Sequence, residues 1–339
     1  MTSPTPEITA RNLVAPGKGI LAADESFPTI EKRFKALGIA ATEENRRAYR
    51  ELLFTAPGLG EFISGAILFD ETLRQKSGEG VPLSVILERQ GIIPGIKVDL
   101  GTSALANFPG EKITRGLDGL RERLSEYREL GARFTKWRAV LKIGVGLPTR
   151  TGIAANAVRL AMFAALSQEA NLVPIVEPEI LMDGDHTIDR CEEVADLTLR
   201  TVFDALRDHR VRLETMLLKP AMILAGVDAR VQPGDDDIAE RTYRCLRRGV
   251  PAAVPGVVFL SGGQNPVEAT TRLAAINRVG AGPWALTFSF GRALQEPALS
   301  AWHGQSKNVG AAQVALLERA RQNGAAVGGR GAPAPNRHV

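Results

Sequence analysis

Lys219 closes an apolar run and is followed at once by proline, in "TMLLKPAM" (215–222). An ammonium in such surroundings is costly unless paired, so this lysine should stand at a wet strand end or spend part of its time neutral. A neutral amine is a nucleophile toward carbonyl carbon. Polar residues close other apolar runs at a spacing of two: Lys97 and Asp99 in "PGIKVD", Lys136 and Arg138 in "RFTKWRAV", and Glu177 and Glu179 in "VPIVEPEI". "GILAADES" carries Asp24 at its end. Residues two apart on a strand share a face, so these amines and carboxyls can converge on one mouth. There Lys136, as a second cation, would push the Lys219 amine toward its neutral form. Glu177, Glu179 and Asp24 would supply the acid and base that imine chemistry requires.

Two more run ends carry a different signal. "FLSGGQN" offers Ser261, Gly262 and Gly263, and "FSFGRAL" offers Ser289, Gly291 and Arg292. Glycines let backbone N–H groups approach an anion closely and Arg adds a charged fork, a phosphate-binding combination. Lys97, Arg33 and Ser26 would meet a second anion on the opposite side, so the substrate would carry a phosphate at each end. Plain structural readings stand beside these. Asp24 would serve as a helix N-cap, Glu177 before Pro178 would shape a turn, and Lys136 with Arg138 would hold an inward carboxylate cluster together without chemistry.

The elements that must position these residues follow from periodicity. Eight short apolar runs, "GILAAD", "GAILFD", "PGIKVD", "RFTKWRAVLKI", "VPIVEPEI", "TMLLKPAM", "GVVFLSGG" and "WALTFSFG", are bounded by Gly, Pro or polar residues. Between them lie segments with apolar residues at three- and four-residue spacing, such as "TEENRRAYRELLFTA" and "IDRCEEVADLTLRTVFDALRDH". Strand and helix alternating eight times predict an α/β fold, a (β/α)8 TIM barrel, whose chemistry sits at the C-terminal strand ends. Residues 1–320 read as a single catalytic domain and 321–339, rich in Gly, Ala and Pro, as a mobile tail.

Composition bounds the function. Lys and Arg number 42 against 38 Asp and Glu, dispersed along the chain, so "RCLRRG" reads as a solvated helix face rather than a nucleic-acid surface. Cys191 and Cys245 form no CxxC pair, and the four His show no metal-ligand spacing. No apolar run reaches the roughly 18 residues of a membrane span. The reading is of a cytoplasmic protein acting on anionic small molecules, without metal, nucleic acid or membrane.

The segments "GKGILAADES", "GIKVD", "GLDGLRERLSEY", "FTKWRAVLKIG", "PIVEPEIL", "DGDH", "LLKPAM", "FLSGGQ" and "GRALQ", in order from about Gly17 to Trp302, closely resemble the class I fructose-1,6-bisphosphate aldolases. The resemblance implies that Lys219 forms the Schiff base with the substrate ketone and that Glu177 is the acid and base of carbinolamine dehydration. Glu179 and Lys136 would set the environment, and Asp24 would assist removal of the C4 hydroxyl proton. Ser261, Gly262, Gly291 and Arg292 would hold the 1-phosphate, beside Gly263 and Ser289 of the same run ends, with Ser26, Arg33 and Lys97 toward the 6-phosphate and Arg138 between. It implies no cofactor and a homotetramer. Two departures stand out. Phe27, Pro28 and Thr29 follow "AADES" where the family usually has Thr-Gly-Ser or Thr-Gly-Thr, which predicts a stiffer loop. No tyrosine lies near the end of the chain, where His338 is the side chain suited to proton transfer. Preference for fructose 1-phosphate and a non-catalytic scaffold on the aldolase fold remain as alternatives.

Overall fold

The computed structural model describes residues 4–329. Eight strands close into a barrel in which every neighbouring pair is parallel: β1 (Gly19–Ala23), β2 (Ile63–Leu68), β3 (Ile93–Lys97), β6 (Phe134–Leu141), β7 (Val173–Ile180), β8 (Leu217–Leu218), β9 (Gly256–Phe259) and β10 (Ala285–Phe290). They are the eight runs picked out by periodicity. The short strands β4 (Thr102–Ala104) and β5 (Lys112–Thr114) form an antiparallel pair outside the barrel. The helices are α1 (Pro6–Leu13), α2 (Phe27–Lys35), α3 (Glu43–Phe54), α4 (Asp70–Arg74), α5 (Leu83–Arg89) and α6 (Leu120–Glu129). The second half adds α7 (Arg150–Glu169), α8 (Ile188–Asp208), α9 (Asp235–Gly249), α10 (Pro266–Val279), α11 (Arg292–Trp302) and α12 (Val309–Val327).

Strands covered on both faces need no polar alternation, and β1, β2, β7 and β9 are buried at every position. One core lies between barrel and helices. A second fills the barrel's lower interior with Ile20, Ile67, Phe134, Val173, Ile175, Leu217 and Val258, closed from below by Ala10, Leu13 and Val14 at the end of α1. The Phe134 ring fits because β3 carries a glycine: a Cβ at Gly95 would lie 2.3 Å from it. Apolar packing thus ends where the polar strand ends begin, and the reactive groups rest on a dry floor.

Two expectations change, and a third lies outside the described residues. The segment after Ser26 is the first turn of α2 rather than a loop; Pro28 is tolerated there because first-turn N–H groups have no intrahelical partner. Phe27 is held edge-on to Phe69, with ring centroids 5.1 Å apart, and beneath the Arg46 guanidinium. Residues 321–327, assigned to the tail from composition, belong to α12, where Asn323 and Gly324 are buried. Alanine favours helix. A Cβ at Gly324 would stand 2.6 Å from Gly17 O, so close packing, not flexibility, explains that glycine. His338 and the rest of 330–339 lie outside the described residues.

Leu13→Ala should lower unfolding stability by about 2–5 kcal/mol, because it opens a cavity beneath Phe134 that the barrel cannot collapse around. Denaturant titration checks this; an unchanged midpoint would show that α1 does not close the barrel.

Candidate active site at the barrel mouth

A cavity of about 740 Å³ opens at the C-terminal strand ends. Fifteen of the residues singled out from the sequence line it: Asp24, Ser26, Arg33, Lys97, Lys136, Arg138, Glu177, Glu179, Lys219, Ser261, Gly262, Gly263, Ser289, Gly291 and Arg292; Asp99 does not, being buried behind Lys97. Strand register explains the convergence. Lys97 pairs with Lys136 across β3 and β6, and Arg138 with Glu177 across β6 and β7. Pro220 ends β8, and the Lys219 N–H still donates to Val176 O at 2.8 Å, which fixes the lysine beside β7.

The ionised groups form a chain of alternating sign. Lys136 Nζ lies 2.7 Å from Asp24 Oδ2 and 3.0 Å from Glu177 Oε2, while Glu177 Oε1 lies 3.3 Å from Lys219 Nζ. Lys136, Glu177 and Lys219 are only 3–4% exposed, a setting in which burying a charge is costly unless it is paired. Burial opposes the charge of Asp24, yet Lys136 and Lys219 outweigh it and hold the carboxyl well below its ordinary range. Lys136 loses from burial but is driven above the usual lysine value by Asp24, Glu177 and Asp99. Glu177 is likewise lowered, its burial overcome by Lys136, Lys219 and Arg138. Glu179 goes the other way, raised by burial and by Glu177 against the opposing pull of its partner Arg138. Two carboxyls two residues apart are thus driven apart, the pattern that separates acid from base roles.

Two of the three plain readings fail on geometry, while Lys136 and Arg138 do hold the inward carboxylates Asp24, Glu177 and Glu179. The N-cap of α2 is Ser26, while the Asp24 carboxylate faces Lys136, and Glu177 lies in mid-strand rather than in a turn. The expected cation pair is altered in one respect: Glu177 bridges Lys136 and Lys219. Glu177 Oε2 has no well-aligned hydrogen bond among the described residues, so its contact with Lys136 is ionic.

Anion-binding features stand at both ends. Gly262 and Gly263 have φ of 55° and 98°, a backbone that glycine adopts without strain. Gly291 caps α11, whose first N–H groups receive no side-chain cap, and the buried Ser289 Oγ has no partner. Arg292 donates to Gly263 O, joining the two loops. Opposite, Arg33 binds Glu25, and Lys97 lies 2.7 Å from Asp99. Sequence reasoning missed Glu25, Thr29 and Lys32, which also line the cavity. Glu25 accepts from Arg50 at 2.6 Å and from Gln295 at 2.8 Å. Its only sequence signal was adjacency to Asp24, on the other face of the strand end. Among the described residues no group of three or more His, Cys, Asp or Glu is placed to ligate a metal, and no helix is long and apolar enough to cross a membrane.

Fold and site define a (β/α)8-barrel enzyme whose mouth joins a buried amine to paired carboxylates. The family model described as fructose-bisphosphate aldolase class-I matches residues 7–337. A probable fructose-bisphosphate aldolase class 1 of Xanthomonas campestris pv. campestris is 54% identical over 323 residues, 95% of this chain and 97% of that protein. The cytosolic fructose-bisphosphate aldolase 4 of Arabidopsis thaliana is 54% identical over 91% of this chain and 79% of its own length. The crystal structure of fructose-bisphosphate aldolase from Plasmodium falciparum, in complex with TRAP and an inhibitor, superposes with a TM-score of 0.95 at 52% identity, covering 96% of this chain and 94% of that one. The chain belongs to the class I fructose-bisphosphate aldolase family.

A carboxyl held below its unfolded value contributes stability above that value, about pH 3.9 for Asp, and loses it as pH falls toward the folded value. Asp24→Asn should therefore destabilise the protein at pH 7, and its gap from the parent should visibly narrow by about pH 3. A gap of constant size from pH 7 to pH 3, read by denaturant midpoints, would contradict the Lys136 pairing.

Proposed function

We propose that this chain catalyses the reversible cleavage of fructose 1,6-bisphosphate into dihydroxyacetone phosphate and glyceraldehyde 3-phosphate through an imine on Lys219. The observation that carries this reading is Lys219 itself, buried, 3.3 Å from a carboxylate, in a cavity with anion-binding features at both ends.

Glu177 is placed to take a proton from the Lys219 ammonium, freeing the amine to attack the C2 ketone. The same carboxyl then protonates the carbinolamine hydroxyl, which leaves as water and gives the protonated imine. Asp24, held ionised, accepts the C4 hydroxyl proton; the C3–C4 electrons move into the imine, forming the enamine and releasing glyceraldehyde 3-phosphate. Protonation at C3 and hydrolysis return the amine. Lys136 keeps Asp24 and Glu177 ionised at the start of the cycle, and Arg138 with Glu179 lines the site between the phosphates. Ser261, Gly262, Gly263, Ser289, Gly291 and Arg292 surround the 1-phosphate, and Ser26, Arg33 and Lys97 face the 6-phosphate.

The activity fits a glycolytic or gluconeogenic role in the cytoplasm, supported by the location in the Arabidopsis relative's name. A single catalytic domain is read from chain length and the eight-fold strand–helix pattern, and a homotetramer from family resemblance. A second reading, preference for fructose 1-phosphate, draws on one observation: Arg33 and Lys97 are already bound to Glu25 and Asp99, so a 6-phosphate must compete for them.

Cleavage of both substrates, measured with a chelator present, tests the function. Greater turnover of the bisphosphate and its complete loss in folded Lys219→Met are expected; equal cleavage by Lys219→Met would refute the imine. Arg292→Ala should raise KM more than it lowers kcat, with about 1.5–3 kcal/mol lost from kcat/KM, because a phosphate contact forms in ground and transition states alike. An unchanged KM would remove Arg292 from the site.

A further inference from the structure

Helix α11 begins at Arg292, at the end of the site read above as the 1-phosphate side, and contains Pro297. Proline has no N–H, so the carbonyl four residues earlier, that of Ala293, loses its intrahelical donor. Arg319 of α12 fills this gap, its Nε donating to Ala293 O at 3.2 Å. The rest of its guanidinium donates to Pro266 O and Thr270 Oγ1 of α10 and to Gln322 Oε1. Thr270 Oγ1 also lies 2.8 Å from Asn323 Oδ1, a further tie between α10 and α12.

Pro266 is the first residue of α10, only two residues beyond the Ser261–Gln264 loop. One side chain therefore bonds the opening turns of both helices that leave the two anion-binding loops. Arg319 is 7% exposed, and no carboxylate among the described residues lies within ion-pair distance of it. A cation buried on neutral acceptors alone is a costly feature, and it sits behind the place where negative charge would be delivered.

We propose that Arg319 is a positioning residue for the phosphate end of the site. It sets the spacing of α10 and α11, and with it the aim of the Gly262, Gly263, Gly291 and Arg292 backbone N–H groups. This rests on the reading that this end takes phosphate. Arg319 touches no reacting atom; it acts through the helix starts.

The test uses the full chain with Arg319→Gln, Arg319→Lys and the double variant Arg319→Gln/Pro297→Ala. Arg319→Gln should raise both KM for fructose 1,6-bisphosphate and Kd for dihydroxyacetone phosphate about ten-fold, as for loss of a charged hydrogen-bonding group, with kcat little changed. Imine trapping of unphosphorylated dihydroxyacetone should stay at the parental rate. Pro297→Ala restores an N–H opposite Ala293 O, so the double variant should recover much of the lost phosphate affinity. Parental KM and Kd in Arg319→Gln, or a rise that Pro297→Ala leaves untouched, would overturn the proposal. Should Arg319→Gln fail to fold, Arg319→Lys, which keeps the charge but not the planar fork, should still raise Kd, and a parental Kd there would overturn it equally. A parent that binds dihydroxyacetone phosphate but does not cleave the bisphosphate would instead refute the assigned reaction, so the two failures are distinguishable.

Discussion

Asp24, Lys136, Glu177 and Lys219 alternate in charge across four neighbouring parts of the barrel, and each of the three buried members lies within ion-pair distance of a neighbour of opposite charge. Removing one partner of a buried pair strands the other, at a cost of about 3–5 kcal/mol. The chain of charges is therefore both a structural constraint and a proton store. It requires β1, β6, β7 and β8 to hold these four residues at matching heights. The parallel register provides this, with Lys136 beside Lys97 and Glu177 beside Arg138.

The rest of the molecule serves that constraint. Phe134 and the end of α1 close the barrel from below, so the ionised groups face one open side only. Two loops with glycines at their turns bring backbone N–H groups to one end of the cavity, and the start of α2 brings Ser26 and Arg33 to the other. Glu25 joins that end to α3 and α11 through Arg50 and Gln295. Burial and neighbouring charge separate Glu177, lowered, from Glu179, raised, although the two share one strand.

Period-two spacing made much of this legible in the sequence. Lys97, Lys136, Arg138, Glu177 and Glu179 could be placed on inward faces because strand geometry permits little else. Resemblance then gave roles to residues whose types left alternatives open, such as Asp24 as base or cap. What remained hidden depends on contacts distant in sequence. Glu25 looks like an unremarkable neighbour of Asp24 until Arg33, Arg50 and Gln295 arrive from three helices. Residues 321–327 have the composition of a tail, but Gly324 is glycine because Gly17 O lies against it. Pro28 suggested a rigid loop because proline marks turns and helix starts alike; the backbone alone decides between them.

The account stands on Lys219 being the amine that meets the ketone. Borohydride reduction in the presence of dihydroxyacetone phosphate, followed by peptide mapping, tests this directly. One stable adduct on Lys219 is predicted, because this lysine alone lies against Glu177 at the centre of the cavity without a second carboxylate in ion-pair contact among the described residues. Adduct on Lys136 or Lys97, or no adduct under conditions where the protein turns over substrate, would contradict it.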